Sequence, residues 1–120
     1  MSTTQLILSA VTYGTPAGNY DGSSQDWFSD AVKAADYYRG RGGVQSIGFN
    51  VTGVTGRVFI DATLDSDPNS ASWFDTLTYG SATVPLTEYT VESLLGNFTW
   101  IRARVEGFDS GVINSVTITY

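Results

Sequence analysis

Apolar and polar residues alternate with a period of two along several segments of the chain, which is the pattern of a strand with one buried face. The predicted inward-facing residues are Ile47, Phe49 and Val51 in 44–52, Val58, Ile60, Ala62 and Leu64 in 57–64, Ile101, Ala103 and Val105 in 97–105, and Val116, Ile118 and Tyr120 in 112–120. Weaker alternation predicts strands at 4–13, 73–79 and 84–91, and Pro85 makes the last of these an edge strand.

Turn-forming residues separate these segments at short intervals. The sequence Thr-Gly-Val-Thr-Gly at 52–56 predicts a hairpin connection, and the glycines at 80–82 and 107–111 predict further hairpins. The segment 65–70 predicts a loop, because Pro68 fixes φ and Asn69 tolerates a left-handed backbone. About seven to eight short strands with such turns are typical of an all-β fold, an antiparallel β-sandwich or jelly-roll-like domain.

The segment 29–38 is compatible with two structures. Ser29 is a suitable N-cap and alanines follow it, which favours a short helix. The same residues also alternate, with Val32, Ala34 and Asp36 on one side, which favours a strand. No linker divides the chain, so we expect a single β-sandwich domain over 1–120, with 1–30 as a candidate N-terminal arm used in assembly.

The composition removes several classes of chemistry. The 120 residues include no Cys and no His, which excludes disulfides, thiolate zinc sites, Cys nucleophiles and Ser-His-Asp triads. Twelve acidic residues against six basic ones give a formal net charge of -6, which disfavours nucleic acid and anionic membranes as partners. No apolar run approaches the roughly 20 residues that span a bilayer. We therefore expect no catalytic residues, no cofactor and no metal.

Acidic residues cluster at two places in the sequence. Asp61, Asp65, Asp67 and Asp75 offer the oxygen ligands that Ca²⁺ prefers, but their spacing matches no calcium-loop signature. Asp is also favoured in turns, where its side chain bonds the local backbone, and we prefer that interpretation here and for 21–26. The three glutamates lie in no distinctive motif, so no pair of carboxylates predicts glycoside hydrolysis.

The segment 97–105 places aromatic and guanidinium groups on one face of a strand. Phe98, Trp100, Arg102 and Arg104 all point away from the predicted core. One interpretation is a platform whose rings stack on a sugar or a partner while the arginines donate hydrogen bonds. The interpretation that we prefer is packing against a second layer or subunit, with arginine stacked on Trp or paired with Asp.

A second candidate for binding is the sequence Tyr-Tyr-Arg-Gly-Arg-Gly-Gly at 37–43. Its arginines and glycines would suit a phosphate-binding loop, but it lacks the Lys-Ser/Thr ending of a P-loop and no helix clearly follows it. The negative net charge of the chain also disfavours nucleic acid. We therefore predict that 37–43 contacts a neighbouring subunit or an acidic surface.

Six motifs follow one another from residue 30 onward. The motifs are Tyr-Tyr at 37–38, Val-Gln-Ser-Ile-Gly-Phe-Asn-Val-Thr-Gly at 44–53, Gly-Arg-Val-Phe-Ile-Asp-Ala-Thr-Leu at 56–64, Asp-Pro at 67–68, Ser-Trp-Phe at 72–74 and Gly-Asn-Phe-Thr-Trp-Ile-Arg-Ala-Arg-Val at 96–105. This order resembles a β-rich domain of virion structural proteins of tailed bacteriophages, especially contractile-tailed phages of cyanobacteria. In those phages the domain is usually part of a longer structural protein, and the family implies no catalytic residues.

The resemblance implies a non-enzymatic structural component of the virion, either a capsid decoration or cement protein or part of a fibre, neck or tail assembly. Its partners would be other virion proteins and further copies of itself, with a trimer as one form of homo-oligomer. Because aromatic residues and Arg dominate interface hot spots, the predicted interface residues are Trp27, Tyr37, Tyr38, Arg39, Arg41, Trp100 and Arg102. The alternative is a carbohydrate-binding β-sandwich module for a host glycan or receptor, which predicts exposed, coplanar rings beside amide or carboxylate groups.

Overall fold

A computed structural model of the chain describes residues 4–34, 43–96 and 98–120. These residues form seven strands and no helix, which confirms the prediction of an all-β fold. The strands are β1 (Thr4–Leu8), β2 (Val11–Thr12), β3 (Trp27–Phe28), β4 (Val32–Lys33), β5 (Gly43–Thr63), β6 (Phe74–Gly96) and β7 (Trp100–Thr119). The described part of the chain holds no helix with the length and apolar character that a membrane crossing needs.

All seven strands belong to one open antiparallel sheet, in the order β1-β7-β5-β6. One edge of β7 pairs with β5, and the other edge pairs in turn with β1, β2, β3 and β4. Thr4 is paired with Thr119 at one end of β7, and Lys33 with Trp100 at the other. The N-terminal strands, including those in the candidate arm 1–30, therefore supply one edge of the sheet.

The hairpins predicted at 52–56, 80–82 and 107–111 are wrong, because each of these segments lies inside a long strand. β5, β6 and β7 contain 21, 23 and 20 residues and stay paired with one another on both sides of the three segments. A straight strand of 20 residues would measure about 66 Å, whereas the longest dimension of the molecule is 39 Å. The long strands therefore bend, and most register shifts of β5 fall between Asn50 and Arg57.

Two positions show why the bend requires glycine. Gly111 has a φ of 88°, and a Cβ added to it would lie 2.3 Å from the carbonyl oxygen of Gly53. Gly80 has a φ of 111°, and its Cβ would lie 2.3 Å from the carbonyl oxygen of Gly56. Side-chain-bearing residues rarely adopt such φ values, and no Cβ fits so close to a neighbouring backbone. The turn-like sequences thus mark a line along which three neighbouring strands bend together.

The bend folds the sheet back on itself, so that its two halves share one core. Phe49 lies before the bend in β5 and stacks on Tyr79, whose β5 partner Val58 lies after the bend. The two ring centroids are 4.7 Å apart. The ends of β7 also approach each other, because the Tyr120 hydroxyl donates a hydrogen bond of 3.0 Å to the carbonyl of Lys33.

The shared core contains nearly all of the residues that alternation predicted to face inward. Those that are buried are Ile47, Phe49, Val51, Val58, Ile60, Ala62, Ile101, Ala103, Val105, Val116 and Ile118. Tyr120 packs against them and is half-buried. Leu64 is exposed instead, since β5 ends at Thr63 and the strand pattern no longer applies there.

The segment 29–38 is extended as far as the structure describes it. β4 lies within it and pairs with β7, so the helical alternative is wrong for 29–34. Ser29 and the alanines have a local preference for a helix. Pairing with the long strand β7 outweighs this preference, because the paired residues must take an extended backbone. Residues 35–38 lie outside the described residues.

Candidate functional site

Each half of the folded sheet presents one outer face, and the two faces differ in charge. The first, here called the arginine face, lies on the half to which β3 and β4 belong. By register it comprises Phe28, Lys33, Arg57, Phe59, Asp61, Thr63, Asp75, Thr78, Trp100, Arg102, Arg104 and Glu106. The predicted outward position of Trp100, Arg102 and Arg104 is therefore confirmed, whereas Phe98 precedes β7 and packs against the core. Seven of the twelve side chains of this face are charged.

Asp61 is the centre of the arginine face. Its side chain is only 4% exposed, and two arginines of β7 lie against it. Arg102 Nε donates to Asp61 Oδ2 at 3.3 Å, and Arg104 Nε donates to Oδ1 and Oδ2 at 3.3 and 3.1 Å. Arg104 also pairs with Asp75 and Glu106. Strand register explains the cluster, because Asp61 stands opposite Arg102 in the ladder between β5 and β7.

Burial and ion pairing act on these groups in opposite directions. Burial, with a smaller contribution from the neighbouring Asp75, leaves the pKa of the Asp61 carboxyl above its usual value, although hydrogen bonds from Arg104 and Arg102 favour its charged form. Burial lowers the pKa of Arg104, but its hydrogen bonds and attraction to Asp61 and Asp75 are stronger and leave that pKa above its usual value. The Asp61 carboxylate and the guanidinium of Arg104 thus neutralise each other and hold β5 against β7.

Aromatic rings cover the same two arginines. The guanidinium carbon of Arg102 lies 4.4 Å from the ring centroid of Phe28 and 4.5 Å from that of Trp73. The guanidinium carbon of Arg104 lies 4.2 Å from the ring of Phe59. Such cation–π contacts are attractive and limit the access of water. Both contacts that the sequence favoured, arginine on Trp and arginine with Asp, occur in this cluster.

The indole N–H of Trp100 is hydrogen-bonded to a loop of the protein. Its indole Nε1 donates to the carbonyl of Ser66 at 3.1 Å. The neighbouring hydroxyl of Thr99 donates to the carbonyl of Asp65 at 2.5 Å. These bonds tie the loop 64–73 to the start of β7.

The fastened loop forms one wall of a surface pocket of about 280 Å³. The opposite wall is the segment 28–31, and Arg102 lies between the two. The rings of Phe28 and Trp73 line this pocket together with the polar side chains of Asp30 and Asn69. Rings, a carboxylate, an amide and a guanidinium are groups that together suit a polar, ring-shaped ligand such as a sugar.

The predicted interface residues do not form one group. Trp27 is 7% exposed and packs in the core against Tyr20 and Phe108, so its ring is not presented to solvent. Trp100 and Arg102 lie on the arginine face. The remaining four, Tyr37, Tyr38, Arg39 and Arg41, lie outside the described residues.

The turn interpretation of the acidic residues is confirmed for Asp21, Asp65 and Asp67 and is wrong for Asp61 and Asp75, which lie in β5 and β6 and pair with arginines. Asp21 accepts hydrogen bonds from the backbone of Ser23 and Ser24 at 2.9 and 2.7 Å, and the bonds from Ser24 and Ser23 lower its pKa to about 2. Asp67 accepts from the backbone of Asn69 at 2.9 Å, and Asp65 accepts from that of Ser72 at 2.7 Å. Within 4–34, 43–96 and 98–120, no three acidic side chains come together as a metal site would require.

The outer face of the other half, here called the uncharged face, was not singled out by the sequence. By register and side-chain contacts it comprises Thr4, Leu6, Thr12, Val44, Ser46, Gly48, Asn50, Thr52, Tyr89, Val91, Ser93, Leu95, Val112, Asn114, Ser115, Thr117 and Thr119. None of these seventeen residues is charged. The lack of charge could have been noticed in the sequence. The outward positions of 44–52 and 112–120 carry Val, Ser, Thr, Asn and Gly, and none of them is charged.

The outer edge of β6 is a third exposed feature. No strand among the described residues pairs with that edge, because β6 stands last in the sheet. Five of the ten exposed large apolar side chains of the described residues belong to β6, namely Phe74, Val84, Tyr89, Val91 and Leu95. The strand also contains Asp75, Glu88 and Glu92 and no basic residue. The prediction that 84–91 is an edge strand is confirmed.

The arginine face, the uncharged face and the β6 edge are thus the candidate binding surfaces among the described residues. Known proteins add no assignment to them. Comparison of the chain with protein-family models, with curated proteins and with solved structures finds no match in any of the three.

Proposed function

We propose that the chain is a non-enzymatic structural component of a tailed-phage virion, a capsid decoration or cement protein or else part of a fibre, neck or tail assembly. The observation that carries the proposal is the exposed edge of β6 with its apolar side chains. Long exposed strand edges promote uncontrolled association unless a partner covers them. A protein whose role is to bind neighbouring proteins in a particle has such a partner.

Binding at this edge follows from backbone chemistry. The outward N–H and C=O groups of an edge strand accept a further strand, and the side chains beside them select which strand is bound. Glu88 and Glu92 make the β6 edge acidic, and Pro85 removes one hydrogen-bond donor from it. Both features disfavour pairing of β6 with itself and favour a neutral or basic strand of another virion protein.

A rigid, compact domain suits a structural function, and the fold described above is consistent with such a domain. We propose that the folded-over sheet is a β-sandwich of jelly-roll-like character, in which the two halves act as the two layers. The stacking of Phe49 on Tyr79 across the bend supports this arrangement. The order of motifs from residue 30 onward, which resembles that of phage virion domains, is the basis for proposing a location in the virion.

Reversal of charge on the β6 edge tests the proposal. We expect Glu92→Lys to lower the number of copies per purified particle at least about fivefold, because the substitution replaces a charge that attracts a basic partner strand with one that repels it. Asp109→Lys is the matched control, since Asp109 is also exposed and acidic but lies at the bend of β7. Quantitative mass spectrometry of the particles measures both. Equal occupancy of Glu92→Lys and wild type would contradict the proposed edge.

A second candidate function, carbohydrate binding, is favoured by the pocket beside Arg102. The rings of Phe28 and Trp73 line it beside a carboxylate and an amide, and both rings also contact the guanidinium of Arg102. Titration calorimetry with host surface glycans is expected to give heat that Trp73→Ala abolishes and Tyr89→Ala retains, because only Trp73 lines the pocket. Absence of heat with every glycan would rule this candidate out.

A further inference from the structure

We propose that the uncharged face is the contact surface between two copies of this chain, which pack face to face about a two-fold axis. The inference deepens the proposed function, on which it rests for its setting, by naming how copies of the component meet. It uses side chains on the outer face of the sheet rather than the backbone edge of β6. Tyr89, Val91 and Leu95 belong to both surfaces, whereas Leu6 of β1 belongs to the face alone and Glu92 to the edge alone. The variants Leu6→Lys and Glu92→Lys therefore separate the two proposals.

The distribution of charge points to this face. The chain has a formal net charge of -6, so two copies repel each other in most orientations. Seven of the twelve residues of the arginine face are charged, whereas the seventeen residues of the uncharged face carry no charge. The central parts of protein interfaces are depleted in charged residues in the same way. Two copies therefore approach with the least repulsion through this face.

The polar groups of the face complement themselves. Ser46, Ser93 and Thr117 carry hydroxyls, and each hydroxyl both donates and accepts hydrogen bonds. A surface of hydroxyls that meets its own copy therefore finds partners for its polar groups. A surface of acids or bases would meet like charge in the same arrangement. This chemistry favours a second copy over a basic or acidic partner protein.

Tyr89 supplies an aromatic anchor near the middle of the face. A Cβ added to Gly48 would lie 3.1 Å from the Tyr89 ring, so the missing side chain of Gly48 leaves room for that ring to lie across the strand. Tyr89 nevertheless remains 67% exposed as a residue. Leu6 and Val91 flank it as exposed apolar side chains. Tyr is one of the residues that most often dominate interface energies.

The area of the face is sufficient for a dimer. Four neighbouring strands span about 19 Å across, and the nine residues from Val44 to Thr52 span about 27 Å along β5. The flat area is thus about 500 Å² per copy and about 1,000 Å² in total, near the lower limit for specific interfaces. A dissociation constant in the micromolar range is the corresponding expectation.

Sedimentation velocity of the purified full chain between about 1 and 200 µM tests the inference. We expect the wild type to shift with concentration from its monomer mass of 12.9 kDa to twice that mass. Val91→Lys places a charge on the face and is expected to raise the dissociation constant at least tenfold. Val84→Lys is the matched control, because Val84 and Val91 are 57% and 61% exposed on the same strand and Val84 lies outside the face.

A second variant keeps the test decisive if Val91→Lys does not fold, which circular dichroism would show. Leu6→Lys introduces the same charge from β1, on the other side of the face, and is expected to weaken the dimer to a similar degree. The inference is overturned if the wild type stays monomeric at 200 µM, or if a folded Val91→Lys or Leu6→Lys dimerises as well as Val84→Lys. Incorporation into particles without dimerisation in solution would overturn the inference and leave the proposed function intact.

Discussion

Gly111→Ala is expected to lower the free energy of unfolding by more than about 3 kcal/mol, a large fraction of the about 5–15 kcal/mol that is typical of a domain. The added Cβ would lie 2.3 Å from the carbonyl oxygen and 2.4 Å from the carbonyl carbon of Gly53. These are backbone atoms of the neighbouring strand, so no side-chain rotation relieves the overlap. The two strands must separate at the bend, where the halves of the sheet are joined. Urea unfolding followed by tryptophan fluorescence measures the effect.

Gly107→Ala is the matched control for this prediction. Gly107 lies in the same bend of β7 and also has a positive φ, of 69°, but nothing lies within 4 Å of its added Cβ. Its substitution carries only the conformational cost of a left-handed alanine, about 1–2 kcal/mol. If Gly111→Ala proved no more destabilising than Gly107→Ala, the close approach of the strands at the bend would be incorrect.

Asp61→Ala is expected to lower the free energy of unfolding by about 3 kcal/mol, or the melting temperature by about 10 °C for a domain of this size. The substitution leaves Arg102 with two aromatic rings and without its carboxylate partner. It also leaves a cavity where a carboxylate of 4% exposure stood. Differential scanning calorimetry at pH 7 gives the value directly.

Asp75→Ala is the control that shows whether the loss of stability in Asp61→Ala comes from the buried position of Asp61 or from ion pairing alone. Asp75 pairs with Arg104 as Asp61 does, but its side chain is 64% exposed. An exposed ion pair contributes less than about 1 kcal/mol because water screens it. Equal losses for Asp61→Ala and Asp75→Ala would show that Asp61 does not stabilise the arginine face through its buried position.

Alternation along the strands predicted the core and the outward arginines, because it depends only on which side chains share a face. It identified Ile60 and Ala103 as buried and Asp61 and Arg102 as outward facing, and the structure agrees. The pairing of Asp61 with Arg102 followed from register, which alternation does not specify. The sequence could therefore predict the face on which these residues lie but not the buried ion pair.

The path of the chain through the bend could not be predicted in the same way. Glycines with positive φ serve hairpin turns and bends within strands equally well, so 52–56 and 107–111 look like turns in the sequence. The distinction lies in contacts between distant residues, such as the approach of Gly111 to Gly53. Three long bent strands thus replace the larger set of short strands that the turn signals predicted.

The uncharged face was missed for a different reason. Single Ser and Thr residues on a strand are ordinary surface residues, and only the register between four strands collects them into one surface without charge. The role of Tyr89 as an aromatic anchor could not be predicted either, because it depends on the position of its ring across Gly48.

The central claim is that this chain is a structural part of a virion. Quantitative mass spectrometry of intact particles, purified by density gradient from cells that produce the chain, tests it most directly. The account predicts that the chain bands with the particles at a fixed number of copies per particle and stays bound through a second gradient. Recovery of the chain only in the soluble fraction, with none in the purified particles, would contradict it.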